Sequence, residues 1–272
     1  MNLSTVNYPD VNKEFVHIDS TRIVETLNVA KKQGLENICL NPSFGWIVGD
    51  SLEFLKDNIW IKGVSIVCEQ CYITPINYLR NLNFYSGAGQ NYSGQLNFSN
   101  FSDLQYLSFN WNEKTYKNFE SLTKLNETSI WRLPNTDLQI FINLSSLAVL
   151  NLNYAQKLVK LSGIENLTSL KELNLYSAPN LGDISALAGN KKTLLNLSFW
   201  LCRRIQDFKV IEQLTNLETF VIQKSAAIHS IQMLKQLHKL WYVSIDTEIL
   251  DENIAYLKER NFKYKKMKKY NK

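Results

Sequence analysis

The chain has 272 residues, a net charge of +5 and hydrophobic residues at 45% of its positions, with only 10 Gly and 5 Pro. This composition excludes an intrinsically disordered chain and a linker-rich or collagen-like protein. The positive charge is local, because residues 258–272 carry +7 and the remaining residues carry −2. Leucine is unusually common, with 38 residues, and its spacing organises most of the chain.

The first segment, residues 1–34, is predicted to be an N-terminal helical cap. It contains no basic segment followed by an apolar run, and the chain has no stretch of about 18 uninterrupted apolar residues. We therefore expect a cytoplasmic protein without a membrane segment. Within the cap, residues 20–33 are predicted to form an amphipathic helix, with Asp19 or Ser20 as its N-cap and Gly34 at its end.

Residues 35–249 are predicted to be a series of repeats. Of the 30 positions that are first, fourth or sixth in ten successive frames, 29 are apolar and only Glu127 is not. Fourth and sixth positions lie on one side of a short strand. The spacing of the frames is irregular to about residue 146 and is regular, at 23 or 24 residues, from residue 147. The frames start at Leu35, Ile61, Leu79, Leu104, Leu122, Leu147, Leu170, Leu194, Leu217 and Leu240.

After each regular strand the chain is predicted to turn and return on the other side of a common core. The ninth position holds a small residue, and apolar residues then recur at every third position, as at Leu158, Leu161, Ile164 and Leu167. A three-residue period is typical of 3-10 turns or short helix. One such coil cannot bury its own apolar face, so the coils are expected to stack as a solenoid.

Residues 250–272 are predicted to be a C-terminal cap and basic tail. Residues 251–261 indicate a short helix, and the following FKYKKM indicates a polar edge strand whose lysines discourage end-to-end pairing. The lysines could alternatively contact nucleic acid or an acidic protein. A solvated cap is the favoured interpretation, because the ends of a solenoid need polar outer faces.

The segment LKELNLYSAPNLGDISAL (170–187) resembles the repeats of bacterial stand-alone leucine-rich repeat proteins, with internalin-like and cysteine-containing-like units of about 23 residues. The resemblance implies an α/β solenoid, a leucine-rich repeat horseshoe that has a concave parallel β-sheet and short helical or 3-10 convex segments. It also implies that the concave face recognises proteins. Some members of this group are presumed to be toxin-neutralising immunity proteins.

The third, fifth and seventh frame positions are expected to face away from the core. Fifth positions hold mostly small residues, which we attribute to packing along the midline of the sheet. The flanking positions are rich in Tyr and Trp, which combine a large contact area with a polar tip. Binding of a partner is the favoured interpretation of these rings, and the alternative is that they only lean on their neighbours and cover the sheet. The candidate protein-binding residues are Tyr85, Tyr106, Trp111, Tyr154, Tyr176, Trp200, Tyr242 and Asp246.

Two motifs suggest chemistry and are both disfavoured. Cys68 and Cys71 have the CxxC spacing of zinc sites and redox pairs, but no second Cys or His pair stands at metal-ligand spacing. The sequence GAGQNYSG (87–94) departs from a dinucleotide-binding motif at Tyr92 and is expected to be a surface loop. We therefore predict no catalytic residue, no metal site and no cofactor.

These observations predict a non-enzymatic scaffold that binds a macromolecular partner, most simply another protein, on its concave face. A toxin-neutralising, immunity-type role follows only from the resemblance. The alternative function is binding of nucleic acid or an acidic partner through the lysine-rich tail. As the partner of this protein, nucleic acid is disfavoured relative to another protein. We expect the protein to be a monomer.

Overall fold

The computed structural model describes residues 3–8, 12–87 and 89–265. The chain forms two compact units, residues 1–125 (unit 1) and residues 126–272 (unit 2). The predicted limits of the caps and repeats, at residues 34 and 249, stay a prediction. None of the helices in the described ranges is long and apolar enough to cross a lipid bilayer.

Unit 1 is built on a sheet with the strand order β1-β2-β3-β4-β6-β9. Its first two strands are antiparallel and the others pair in parallel. Two further parallel pairs, β5 with β7 and β8 with β10, lie outside this sheet. The strands are β1 (Thr5–Tyr8), β2 (Lys13–His17), β3 (Asn37–Leu40), β4 (Gly63–Ile66), β5 (Gln70–Tyr72), β6 (Phe84–Gly87), β7 (Asn91–Ser93), β8 (Leu96–Asn97), β9 (Tyr106–Asn110) and β10 (Tyr116–Lys117).

The predicted N-terminal helix is present, and a hairpin that the sequence did not suggest precedes it. A 3-10 turn at Ser20–Arg22 leads into helix α1 (Ile23–Lys32). Asp19 caps the turn, because its carboxylate accepts a hydrogen bond from the Thr21 backbone N–H at 2.9 Å. The hairpin consists of β1 and β2, and β2 joins the repeat sheet through parallel pairing with β3.

Unit 2 contains the regular repeats, and its strands follow one another in sequence across a parallel sheet. Each 3-10 segment lies between two strands, so the chain alternates between sheet and turn as the solenoid prediction requires. The strands are β11 (Glu127–Trp131), β12 (Val149–Asn153), β13 (Glu172–Tyr176), β14 (Asn196–Trp200), β15 (Thr219–Gln223), β16 (Tyr242–Asp246) and β17 (Lys263–Tyr264). The 3-10 segments are Gln139–Phe141, Ile164–Asn166, Ser185–Asn190, Lys209–Gln213 and Ile231–Leu234.

The core of unit 2 is a ladder of aligned apolar side chains. Leu150 pairs with Leu173, which pairs with Leu197, and this row continues through Phe220 to Val243. All five side chains are at most 1% exposed. Burial of such a side chain stabilises the fold by about 1.5–3 kcal/mol. Parallel repeats around an apolar ladder confirm the predicted leucine-rich repeat solenoid.

Two of the predicted repeat frames are wrong by three residues. Val64 pairs with Tyr85 and not with Leu82, so that frame starts at Leu82. Thr128 pairs with Leu150, so the later frame starts at Leu125. With these starts the spacings between Ile61 and Leu147 become 21, 22, 21 and 22 residues, while the spacing of 26 residues from Leu35 to Ile61 is unchanged. Glu127 then occupies a third position that faces away from the core, and the polar residue at an inward position is Thr128, which is fully buried.

The C-terminal elements agree with the pattern. Helix α2 (Ala255–Glu259) lies within the predicted helix, and β17 pairs with β16 through Lys263 and Tyr264. Most of the lysine-rich tail, residues 266–272, lies outside the described residues, as does the tail-binding alternative that depends on it.

Candidate protein-binding site

The sheet face opposite the leucine core is called the polar face here, and in unit 1 the hairpin β1–β2 covers it. Phe15 of the hairpin contacts Phe84 of the sheet with ring centroids 4.7 Å apart, and Tyr8 lies 4.8 Å from Phe15. The Tyr8 hydroxyl is also 2.7 Å from the Ser65 hydroxyl. Phe15, Phe84 and Cys39 are buried together as a small second core. This part of the polar face is therefore already occupied by the chain itself.

The candidate residues of unit 1 are covered to different extents. Tyr85 was predicted to face outward and is fully buried, because the corrected frame places it at an inward fourth position. Its hydroxyl lies 3.3 Å from the Tyr116 hydroxyl, and burial raises its pKa well above the ordinary value. Tyr106 is half-buried and stacks on Phe84 at 4.3 Å. Trp111 is half-buried against Phe109 and Phe119, each at 5.6 Å.

Cys68 and Cys71 are buried neighbours in unit 1. A hydrogen bond from the Cys71 thiol lowers the pKa of Cys68 to about 7, and the same hydrogen bond together with burial raises that of Cys71. The Cys68 thiol also donates to the Gln70 carbonyl at 3.2 Å. Within the described ranges, no group of three or more His, Cys, Asp or Glu side chains is placed to hold a metal ion.

The midline of the polar face in unit 2 is a hydrogen-bonded ladder of small polar side chains. Asn174 donates from Nδ2 to Asn151 Oδ1 at 2.8 Å, and Asn151 donates from Nδ2 to Ser129 Oγ at 3.1 Å. Asn174 Nδ2 also donates to Glu172 at 2.7 Å. These short side chains are held by their neighbours along the sheet. These short side chains line the middle of the polar face, beside the larger residues at the strand ends.

An aromatic cluster stands at the C-terminal ends of the strands in unit 2 and is defined as Tyr154, Tyr176 and Trp200. Tyr154 and Tyr176 contact edge to face with centroids 5.3 Å apart, and Tyr176 lies 5.4 Å from Trp200. Tyr154 remains 44% exposed and Trp200 37% exposed. A hydrogen bond with Tyr176 raises the pKa of Tyr154. Three candidate residues thus form one accessible surface of aromatic rings.

In five successive repeats the residue directly after the strand has a left-handed backbone conformation, and none of these five residues is glycine. Tyr154 has φ 55°, and its neighbours in this column are Arg132, Ser177, Leu201 and Lys224. The backbone N–H of Tyr154 donates to the Tyr176 carbonyl at 2.7 Å, which extends the sheet by one bond and keeps adjacent strand ends in line. A left-handed conformation costs an ordinary residue about 1–2 kcal/mol. The fold therefore holds large side chains at these turns at an energetic cost.

The other two candidates of unit 2 lie away from the cluster. Tyr242 is half-buried at a third position, and the Lys263 ammonium lies 5.6 Å from its ring centroid. Asp246 is half-buried at the end of β16, where its backbone carbonyl accepts the Lys224 N–H at 2.8 Å. Neither residue makes a ring contact with the aromatic cluster in the part of the chain that the structure describes.

Two features of this edge were missed from the sequence. Trp131 occupies the seventh position of the corrected frame, where it pairs with Asn153, so it belongs to the same column as Tyr176 and Trp200. A pocket of about 370 Å³ also lies at the strand ends. It is lined by Arg132, Leu133, Pro134, Tyr154, Gln156 and Lys157. A frame that starts at Leu125, 21 residues after Leu104 and 22 before Leu147, would have placed Trp131 at a seventh position, whereas nothing in the spacing indicated the pocket.

Comparison with known proteins supports the fold. Neither a family model nor a curated protein sequence matches the chain. Among solved structures, an internalin (InlF) from Listeria monocytogenes is 20% identical, with a TM-score of 0.57 over 85% of this chain and 72% of that chain. The functional domain of InlJ from Listeria monocytogenes, described as including a cysteine ladder, is 13% identical, with a TM-score of 0.56 over 85% of this chain and 52% of that chain. The chain thus has the leucine-rich repeat fold of bacterial internalins.

Proposed function

We propose that the polar face of unit 2 binds another protein and that the aromatic cluster is the centre of the contact. The observation that carries this proposal is a row of ring contacts from Tyr154 through Tyr176 to Trp200 on a parallel sheet, with the two outer rings exposed to solvent. Tyr and Trp are the residues most enriched at binding hot spots, because they remove much surface from water at a small cost in side-chain entropy.

The contrast between the two units supports the same conclusion. In unit 1, the aromatic residue Phe84 on the polar face is fully buried by Phe15 of the hairpin. In unit 2, the corresponding face carries Trp200 more than one-third exposed. A sheet face that presents large rings to solvent is typical of an interaction surface. An immunity-type, toxin-neutralising role is the finer form of this proposal and rests on the resemblance of the repeats.

The test compares two tryptophan variants, Trp200→Ala and Trp241→Ala. Trp241 is 66% exposed, lies outside the aromatic cluster and serves as the matched control. Proteins captured from native lysate by the wild-type chain are identified, and the affinity of each purified candidate is then measured by calorimetry. We expect Trp200→Ala to weaken binding of the true partner by about 1–3 kcal/mol, or roughly 5- to 150-fold in Kd. Trp241→Ala should leave that Kd within about twofold.

Two outcomes contradict the proposal. One is a partner whose affinity is unchanged in Trp200→Ala and in Tyr176→Ala. The other is a partner that is lost only when the basic tail from residue 266 onward is removed and whose affinity falls steeply with salt, as phosphate-driven binding would require.

A further inference from the structure

The pocket beside the aromatic cluster has a definite place in the fold. Arg132 and Tyr154 follow neighbouring parallel strands, so their α-carbons are separated by about one strand spacing of 4.8 Å. The backbone N–H of Arg132 donates to the Asn153 carbonyl at 2.8 Å, which fixes this alignment. Both residues have left-handed backbones, with φ of 61° and 55°. Lys157 lies in the turn that follows Tyr154 and also lines the pocket.

The turn below the pocket is well anchored. The Gln156 backbone N–H donates to the Tyr154 carbonyl at 2.9 Å, and the Gln156 carbonyl accepts the Asn180 amide at 2.7 Å. Leu133 is 1% exposed and closes the pocket on the core side. The backbone of this turn and the Leu133 side chain are therefore positioned before any partner arrives, and this preorganisation lowers the entropy cost of binding.

The lining residues specify a chemistry. Two of the six carry a positive charge, none carries a negative charge, and Leu133, Pro134 and Tyr154 provide apolar walls. A guanidinium group binds a carboxylate through two parallel hydrogen bonds, and a lysine ammonium adds a point charge. Tyr154 belongs both to the pocket and to the aromatic cluster. A partner segment whose charged group enters the pocket can therefore place its neighbouring apolar residues on Tyr176 and Trp200.

We propose that this pocket receives an acidic side chain of the protein partner, whose neighbouring apolar residues pack on the aromatic cluster. The inference rests on the proposed function and adds the chemistry of the partner, an acidic–apolar segment. Arg132 binds the carboxylate by its planar fork, Lys157 contributes charge, and Tyr154 forms the wall shared with the cluster.

The test uses a phage-displayed library of random twelve-residue peptides selected on the full chain. We expect the selected peptides to be enriched in Asp or Glu beside Leu, Ile, Phe or Trp. The strongest peptide is synthesised as its C-terminal amide, and its Kd is measured by fluorescence polarisation. Arg132→Ala should weaken this Kd at least about tenfold, as expected for a charged hydrogen-bonded pair, and Asp→Asn or Glu→Gln in the peptide should do the same. Arg204→Ala, which removes an exposed cation at another turn, is the matched control and should leave the Kd unchanged.

Each remaining outcome decides between the proposals. Selected peptides without acidic enrichment, or with equal affinity for wild type and Arg132→Ala, overturn the inference. If these peptides still lose affinity in Trp200→Ala, the proposed function stands while the inference fails; if they are insensitive to both variants, both fail. A peptide that needs its free C-terminal carboxylate and tolerates the Asp→Asn change shows a chain terminus in the pocket and overturns the side-chain assignment. A selection that enriches no sequence also overturns it. Circular dichroism of each variant checks that it is folded, and Arg132→Lys is included because it keeps the charge and loses the planar fork.

Discussion

Replacing Tyr85 by alanine tests the corrected repeat frame, because the two frames predict opposite results. In the structure the Tyr85 ring is fully buried and lies 6.4 Å from the ring of Tyr116. A buried aromatic side chain removes about 150–250 Å² from water, which corresponds to about 4–6 kcal/mol at 25 cal/mol/Å². Alanine retains part of this burial and the cavity relaxes partly, so Tyr85→Ala should lower the free energy of unfolding by about 3–5 kcal/mol.

The assay is urea denaturation followed by circular dichroism. Tyr85→Phe removes only the hydroxyl that faces Tyr116 at 3.3 Å and should cost about 1 kcal/mol. Tyr154→Ala, at an exposed ring, should change stability by less than about 1 kcal/mol. If Tyr85→Ala costs no more than Tyr154→Ala, then Tyr85 is a surface residue and the frame that starts at Leu82 is wrong.

Two further predictions concern backbone conformation and protonation. Ser177 has φ 61°, a conformation that glycine adopts at no cost, so Ser177→Gly should raise the free energy of unfolding by about 0.5–1 kcal/mol. Ser198→Gly within β14 should lower the free energy of unfolding by a similar amount, and urea titrations of both variants check these opposite signs. His17 is buried against Phe44 at 3.9 Å, and this burial lowers its pKa below the 6.5 of the unfolded chain. The unfolded state therefore binds more protons, so the free energy of unfolding should fall as the pH drops below about 6.5. His17→Gln should flatten this slope in denaturation curves measured from pH 7.5 to 5.

The fold class could be predicted because the repeat is redundant in the C-terminal half. Leu150, Leu173 and Leu197 each sit at the fourth position of frames spaced by 23 or 24 residues, so each regular frame supports the placement of its neighbours. The aromatic cluster was predictable for the same reason. Tyr176 and Trp200 occupy the same position in consecutive repeats, and parallel in-register strands place such residues side by side.

The frame errors arose because the convex segment has a three-residue apolar period that runs directly into the strand. Leu79, Leu82 and Tyr85 are spaced by three, as are Leu122, Leu125 and Thr128, so a frame shifted by three residues satisfies nearly the same apolar pattern. Hydrogen bonding to the neighbouring strand removes this ambiguity, because it can be satisfied in only one register at a time.

The sequence by itself therefore determined the repeat, its apolar core and the adjacent rings of Tyr176 and Trp200 at the strand ends. Tertiary structure decided which of those rings reach solvent. Phe15 covers Phe84 across 69 positions of chain, a contact that no local periodicity encodes. The cationic pocket likewise brings Arg132 and Lys157 together from successive repeats. The local spacing of residues determines on which side of a strand each side chain lies. Whether that side is buried or exposed depends on the packing of segments that are distant in the sequence.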